Sequence, residues 1–274
     1  MIALSRFAVH GGSASITFDN PVGPNSLTSP FLDEILRHLA EAERLQPRVL
    51  YLRSSQAAFC LGADMSEVRA SGMRGIAGRL LRIQELILRT EYPVVADVRG
   101  PTCAGGLGII RASDIVVASE SASFQFSEIG NGVAPSVVSL TIQPKLRPRE
   151  ATELIFTGRL VSGPESVHLG FATYFAGAHP DEHLTELEDR LIGGSAQGFA
   201  ATKQLMNESM IRAHKEHGET LAAVATGLFA SDEANRRMSA SDRQYQSSTS
   251  SATTASSVGD SRSAMPAGND GAQP

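Results

Sequence analysis

Two cysteines, Cys60 and Cys103, are all that 274 residues carry, and both lie inside apolar or glycine-rich runs. That is too few, and too local, for a disulfide framework, and it points to a reducing compartment. Tryptophan is absent and aromatic residues make up 5%, yet a hydrophobic fraction of 42% still supplies a substantial core. No apolar run approaches the ~20 residues of a membrane span. The N-terminus, MIALSRFAVHGG, lacks the long apolar stretch of a signal peptide. Excess positive charge is missing too: the formal net charge of −5 argues against a general nucleic-acid binder. A cytoplasmic enzyme, one large domain or two small ones, is the expectation.

Common catalytic motifs are missing as well. Gly106 and Gly108 begin a dinucleotide fingerprint, but Arg111 stands where its third glycine belongs. Gly106 follows Gly105 where a phosphate loop needs lysine. Gly193 and Ser195 begin a nucleophile elbow, but Gln197 replaces its last glycine. His179 with His183, and His214 with His217, have spacings a metal can use. Both pairs lie in polar segments without a supporting cysteine or carboxylate pattern, so a solvated surface is expected for them and no metal site. NAD, ATP, serine-hydrolase and zinc chemistry all lose ground.

What is present centres on Val94 to Glu128, reading VVADVRGPTCAGGLGIIRASDIVVASESASFQFSE. An apolar β-type run leads into a turn with glycines at 100, 105, 106 and 108, then a short helical segment, then a second β-type run from Ile115 to Ala118. Glycines at a strand-to-helix junction let the backbone approach a ligand and leave first-turn N–H groups unpaired. Such donors, aided by the helix dipole, hold a developing negative oxygen. Glu128, a lone carboxylate downstream, is a candidate for proton transfer. Together they point to thioester enolate chemistry.

Elsewhere, Ala14 to Phe18 alternates like a strand, and Ser29-Pro30 reads as a helix cap with proline at the first helical position. Leu32, Ile35, Leu36 and Leu39 then recur at helical spacing, as do Ile76, Leu80, Ile83 and Ile87. Val49 to Leu52 reads as a buried strand. Helices are expected over Pro135 to Leu146, from Pro148 to Phe156, from Pro164 to Gly170, and over most of Asp181 to Phe229. After Ser239 the composition turns to Ser, Thr, Ala and Gly, too apolar-poor to offset ordering entropy. Strands alternating with helices early and helices late give an α/β class with a helical C-terminal part. The expected division is 1–180 as core, 181–238 as C-terminal helices, and 239–274 as a disordered tail.

The segments Phe59-Cys60-Leu61-Gly62-Ala63-Asp64 and Gly100 to Asp114, followed by Glu128 in FSEIGNG, resemble the crotonase (enoyl-CoA hydratase/isomerase) superfamily over roughly Ile16 to Met238. The resemblance implies a spiral of ββα units, assembly as a homotrimer or dimer of trimers, and an oxyanion hole from the backbone N–H groups of Ala63 and Gly105. It implies no cofactor beyond the CoA or phosphopantetheine that carries the acyl group. Hydratases of the family carry a first glutamate at the position of Gly108, which has no side chain here. The wording CLGAD, VRG with AGGLG, ASDI and ASFQFSEI is similar to the dehydratases of polyketide β-branching cassettes. Those remove water from a 3-hydroxy-3-methylglutaryl group on an acyl carrier protein, giving a 3-methylglutaconyl thioester.

The resemblance makes Glu128 the base for the α-proton, with return of that proton to the leaving hydroxyl. Asp64 is the nearest candidate for a second acid–base group, and its competing role is to cap a helix over Met65 to Ala70. Cys60 and Cys103 read as small core fillers. Arg69, Arg74, Arg79, Arg82 and Arg89 form either a docking patch for an acidic carrier protein or a solvated helix face. A single-glutamate acyl-CoA isomerase, a decarboxylating relative and a non-catalytic thioester-binding homologue remain as alternatives.

Overall fold

A computed structural model describes residues 2–240. Strands β1 (Ser5–His10) and β2 (Ser13–Phe18) form an antiparallel hairpin across Gly11-Gly12. Both glycines have left-handed φ, 56° and 91°, as a tight two-residue turn requires. Helix α1 (Ser29–Leu45) starts one residue earlier than expected, because Thr28 rather than Ser29 is the cap. The Thr28 hydroxyl accepts from Phe31 N–H, and the freed Ser29 N–H donates to the Glu67 carboxylate at 3.0 Å. Strand β3 (Val49–Ser54) follows, then α2 (Met65–Ser71) and α3 (Arg74–Arg89). Ile76, Leu80, Ile83 and Ile87 of α3 are all buried, as their spacing predicts.

Next come β4 (Val94–Val98), β5 (Pro101–Cys103), α4 (Gly105–Ala112), β6 (Ile115–Ser119) and β7 (Ser123–Gln125). The expected helix over Pro135 to Leu146 shrinks to α5 (Ser139–Ile142), preceded by turns. Helix α6 (Pro148–Thr157), β8 (Val161–Ser162), α7 (Gly163–His168) and β9 (Tyr174–Gly177) lead to α8 (Pro180–Gly193) and the long α9 (Ala196–Phe229). Residues 232–240 are also helical, because Ala234 and Met238 pack on Val133. The tail boundary expected at 239 therefore falls inside a helix, and 241–274 lie outside the described residues.

The strands sort into two sheets. The larger runs β1-β2-β3-β4-β6-β9, parallel apart from the β1–β2 hairpin, and the smaller runs β5-β7-β8. Successive strands leave one sheet for the other (β4 to β5, β6 to β7, β8 to β9), and a Cys60–Thr102 bridge extends the small sheet. Strand, short strand, helix is thus the repeating unit, a spiral of ββα turns. Val94 to Val98 is buried throughout, the signature of a parallel strand covered on both faces. Helix α3 packs on α1, α4 and α9, its apolar face in the same core cluster as Met210 and Ala225. No helix among the described residues is long and apolar enough to cross a membrane.

Candidate active site

The cleft that matters lies where the N-terminus of α4, the start of α2, the segment after β7 and the end of α9 converge. Its cavity measures about 130 Å³ and opens to solvent. Leu27, Leu80, Val137, Val138 and Phe229 make much of its wall apolar. Ala63, Gly105 and Glu128 all line it, so the three residues read from distant stretches of sequence share one cavity.

Two backbone donors are prepared by the local fold. Leu27 N–H donates to Gly62 O at 2.7 Å and Leu27 O accepts from Asp64 N–H at 3.1 Å. Pairing on both flanks of Ala63 turns its own N–H away from Leu27, and no backbone acceptor among the described residues takes it. Gly105 opens α4, where first-turn N–H groups have no intrahelical partner. The two segments touch: a methyl group on Gly62 would meet Ala104 Cβ at 2.9 Å and Gly105 N at 3.6 Å. Gly62 also has φ of 87°, so both space and backbone require glycine. A Cβ on Gly106 would meet Cys60 at 2.8 Å, which is why that position is also bare. Ala104 caps α4 with φ 46° and ψ −117°, a conformation disfavoured for any residue with a side chain.

Glu128 is buried, and its Oε2 has no hydrogen-bond partner among the described residues. Its carbonyl accepts from Asn131 and Val133 N–H, which fixes the turn that carries it. Burial outweighs the nearby N–H groups of Ser127 and Glu128 itself and raises its carboxyl to about 7. A carboxyl poised there suits proton exchange near neutral pH. The Cys103 thiol is pushed up to about 11 by burial and by the charge of Glu128, and burial takes Cys60 to about 12. Neither thiol is prepared as a nucleophile.

Asp64 stands elsewhere. Its carboxylate caps α2, accepting from Glu67 N–H at 2.8 Å and from the Ser66 hydroxyl, and it does not line the cleft. At Gly108 a Cβ would run into the Gln84 amide and meet Val138 Cγ1 at 2.9 Å. Gln84 is held by His214, whose ring bonds Gln84 Oε1 at 3.0 Å and Met210 O at 2.8 Å. His214 is therefore buried rather than solvated, a correction caused by the polar-looking α9 face packing on α3; His217 is exposed. Of the arginines, Arg79 pairs with Asp33, while Arg82 and Arg89 share Glu85. Sequence reasoning also passed over Ser136, Ala225 and Phe229, all part of the cleft wall.

Residues 9–246 match the Enoyl-CoA hydratase/isomerase family. The chain is 29% identical over 197 residues to the bacillaene synthase dehydratase PksH of Bacillus subtilis, covering 70% of this chain and 76% of that protein. It is 33% identical over 169 residues to the human enoyl-CoA hydratase domain-containing protein 2, mitochondrial, covering 60% of this chain and 58% of that one. The crystal structure of an enoyl-CoA hydratase from Mycobacterium avium superposes with a TM-score of 0.82 at 31% identity, over 89% of this chain and 98% of the other. With relatives named hydratases and a dehydratase, this is an enzyme of the hydro-lyase kind, and the chain belongs to the enoyl-CoA hydratase/isomerase family.

Proposed function

We propose that the protein dehydrates a 3-hydroxy-3-methylglutaryl thioester on an acyl carrier protein to the 3-methylglutaconyl thioester. The observation that carries this reading is a lone buried carboxylate, Glu128, with one oxygen unpartnered, sharing a largely apolar cleft with two free backbone donors. A thioester carbonyl between Ala63 and Gly105 N–H turns α-deprotonation into formation of a stabilised enolate, each donor lowering the barrier by roughly 3 kcal/mol. Glu128 takes the α-proton, the enolate expels the β-hydroxyl, and the same carboxyl returns its proton to the departing oxygen. The carboxylate that would complete a two-glutamate hydratase has no room, since Gln84 and Val138 fill the space beside Gly108. Similarity to a protein named as a bacillaene synthase dehydratase supports the same branch. The carrier protein is the proposed partner, and a homotrimer or dimer of trimers the proposed assembly.

The test is mass spectrometry of a carrier protein loaded with 3-hydroxy-3-methylglutaryl, treated with wild type or Glu128→Gln. Loss of one water with wild type alone supports the reading. Loss of carbon dioxide instead moves the protein to decarboxylation, and no change with a competent carrier rejects dehydration. One carboxylate also suffices for a 1,3-proton shift, so a double-bond isomerase acting on acyl-CoA is the second reading. It predicts turnover of a 3-enoyl-CoA, followed by NMR, with no carrier protein present.

A further inference from the structure

Ser136 lines the same cleft as Glu128, and its hydroxyl is orphaned. The residue is 8% exposed, and its Oγ has no hydrogen-bond partner among the described residues. Its backbone is fully spent: Ser136 N–H donates to Ala134 O at 2.8 Å, and Ser136 O accepts from the Ser139 hydroxyl at 2.6 Å. Only the side-chain oxygen is left over, and its nearest cleft neighbours in sequence are Ala134, Pro135, Val137 and Val138. Alanine would fill that wall as well. A buried hydroxyl without a partner is destabilising, so its retention in a cleft wants a ligand atom to complete it. Glu128 Oε2 is the other orphaned oxygen of the cleft. A carboxylate accepts a proton, whereas a serine hydroxyl both donates and accepts without changing charge.

We propose that Ser136 is the substrate-hydroxyl site of this enzyme: its Oγ hydrogen-bonds the β-oxygen of a 3-hydroxyacyl thioester and holds it beside Glu128 as it leaves. This rests on the dehydratase reading above. The Cα–H electrons pass to the enolate, whose oxygen is held by Ala63 and Gly105 N–H. Those electrons then return to form the Cα–Cβ double bond as Cβ–O breaks. The proton taken by Glu128 goes back to the departing oxygen, so one water leaves and no co-reactant is needed. Ser136 gives up no proton; it orients the leaving oxygen and disperses its developing charge. A hydrogen bond to a group gaining charge is worth about 1.5–3 kcal/mol, which corresponds to roughly a 10- to 150-fold effect on rate.

Two readouts separate this role from a structural one. The first is water loss from the loaded carrier protein. The second is exchange of the α-proton in D₂O on 3-methylglutaryl thioester, which has no hydroxyl for Ser136 to hold. Ser136→Ala is expected to slow water loss by roughly 10- to 100-fold, mainly in kcat, while exchange falls far less. Ser136→Thr, which keeps the hydroxyl, is expected to recover part of the loss. Equal water loss by wild type and Ser136→Ala overturns the proposal, and so does a parallel fall in both reactions, which marks a role in the fold. A wild-type enzyme that exchanges the α-proton but never loses water defeats the dehydratase reading itself, and the hydroxyl site with it. Thermal melts of each variant keep a folding defect visible.

Discussion

Glu128 holds its proton far above the range of a solvated glutamate because the cleft withholds water from its charge. As a base it works only when ionised, so kcat/KM should rise with pH through about 7 and level off above it. A flat profile between pH 5 and 9 would remove Glu128 as the base. The same shift fixes a sign for stability. Between its ordinary value of 4.5 and about 7 the folded state binds the proton and the unfolded state does not, so stability falls as pH rises through that window. Replacing Glu128 by glutamine removes the buried charge, and should raise stability at pH 8 by up to roughly 3 kcal/mol but hardly at all at pH 4.5. Urea unfolding at the two pH values reads the difference directly, and equal gains at both would contradict the burial argument. Ala104 stores strain of another sort, in a backbone conformation that glycine adopts freely. Ala104→Gly should stabilise the fold by about 1 kcal/mol in urea unfolding, because glycine takes this backbone without the steric cost. Glu128 stood out as a lone carboxylate after a glycine-rich turn, whereas Ala63 and Gly105 came from the family resemblance; that all three line one cleft is a property of the fold. Ser136 was not legible, since an unpartnered hydroxyl looks like any other serine until its surroundings are known.

Elements were legible where periodicity was strong and one face was buried. Helices α1 and α3 and strands β2, β3, β4 and β6 fall where their apolar spacing puts them. Strands β5, β7 and β8 are two or three residues long, too short for any alternation to register, yet they form the second sheet. Strand β1 escaped because Val9 is exposed and the Gly-Gly turn, not an apolar face, sets its pairing. Helix α9 misled for the opposite reason: its polar-looking positions turn inward. Lys203 on α9 donates to Ile87 O, Tyr92 O and the Thr90 hydroxyl and pairs with Asp114 at 2.7 Å. Burial depresses its ammonium, partly offset by Asp114. Those bonds clamp α9 to the end of α3 and the start of β4. Lys203→Met leaves Asp114 and three acceptors without their cation, and should cost about 3 kcal/mol in chemical denaturation. An undisturbed midpoint would show that α9 is held by its apolar contacts alone. Helix α4 sets the opposite kind of limit. Gly108→Glu should not convert the cleft into a two-glutamate hydratase, because the new side chain collides with Gln84 and Val138. Overpacking of that sort costs typically 1–3 kcal/mol, so a lowered melting temperature without gained 2-enoyl-CoA hydration is the expected result.

Across the whole molecule the cleft belongs to no single region. Leu27, Ala63, Gly105, Glu128 and Phe229 come from positions spread over most of the described chain. The division expected near residue 180 marks where strands give way to helices, but helix α3 packs on α4 and on α9 alike within one core cluster. Phe229 and Met65 join that cluster to the smaller one around Val133, and both also line the cleft. Removing the C-terminal helices would uncover the Leu80 to Ile87 face of α3, so the strand core has little means of standing alone. Parallel strands paired across long stretches of sequence impose the same demand, since each pairing closes a loop before it is rewarded. A single cooperative unfolding transition follows, in which far-UV circular dichroism and enzymatic activity are lost together as urea rises. Two separated transitions, with activity gone in the first and the strand signal surviving to the second, would show that residues 181–238 fold as a unit of their own. Coincident loss would mean that Phe229 closes the cleft only because the whole chain folds as one body.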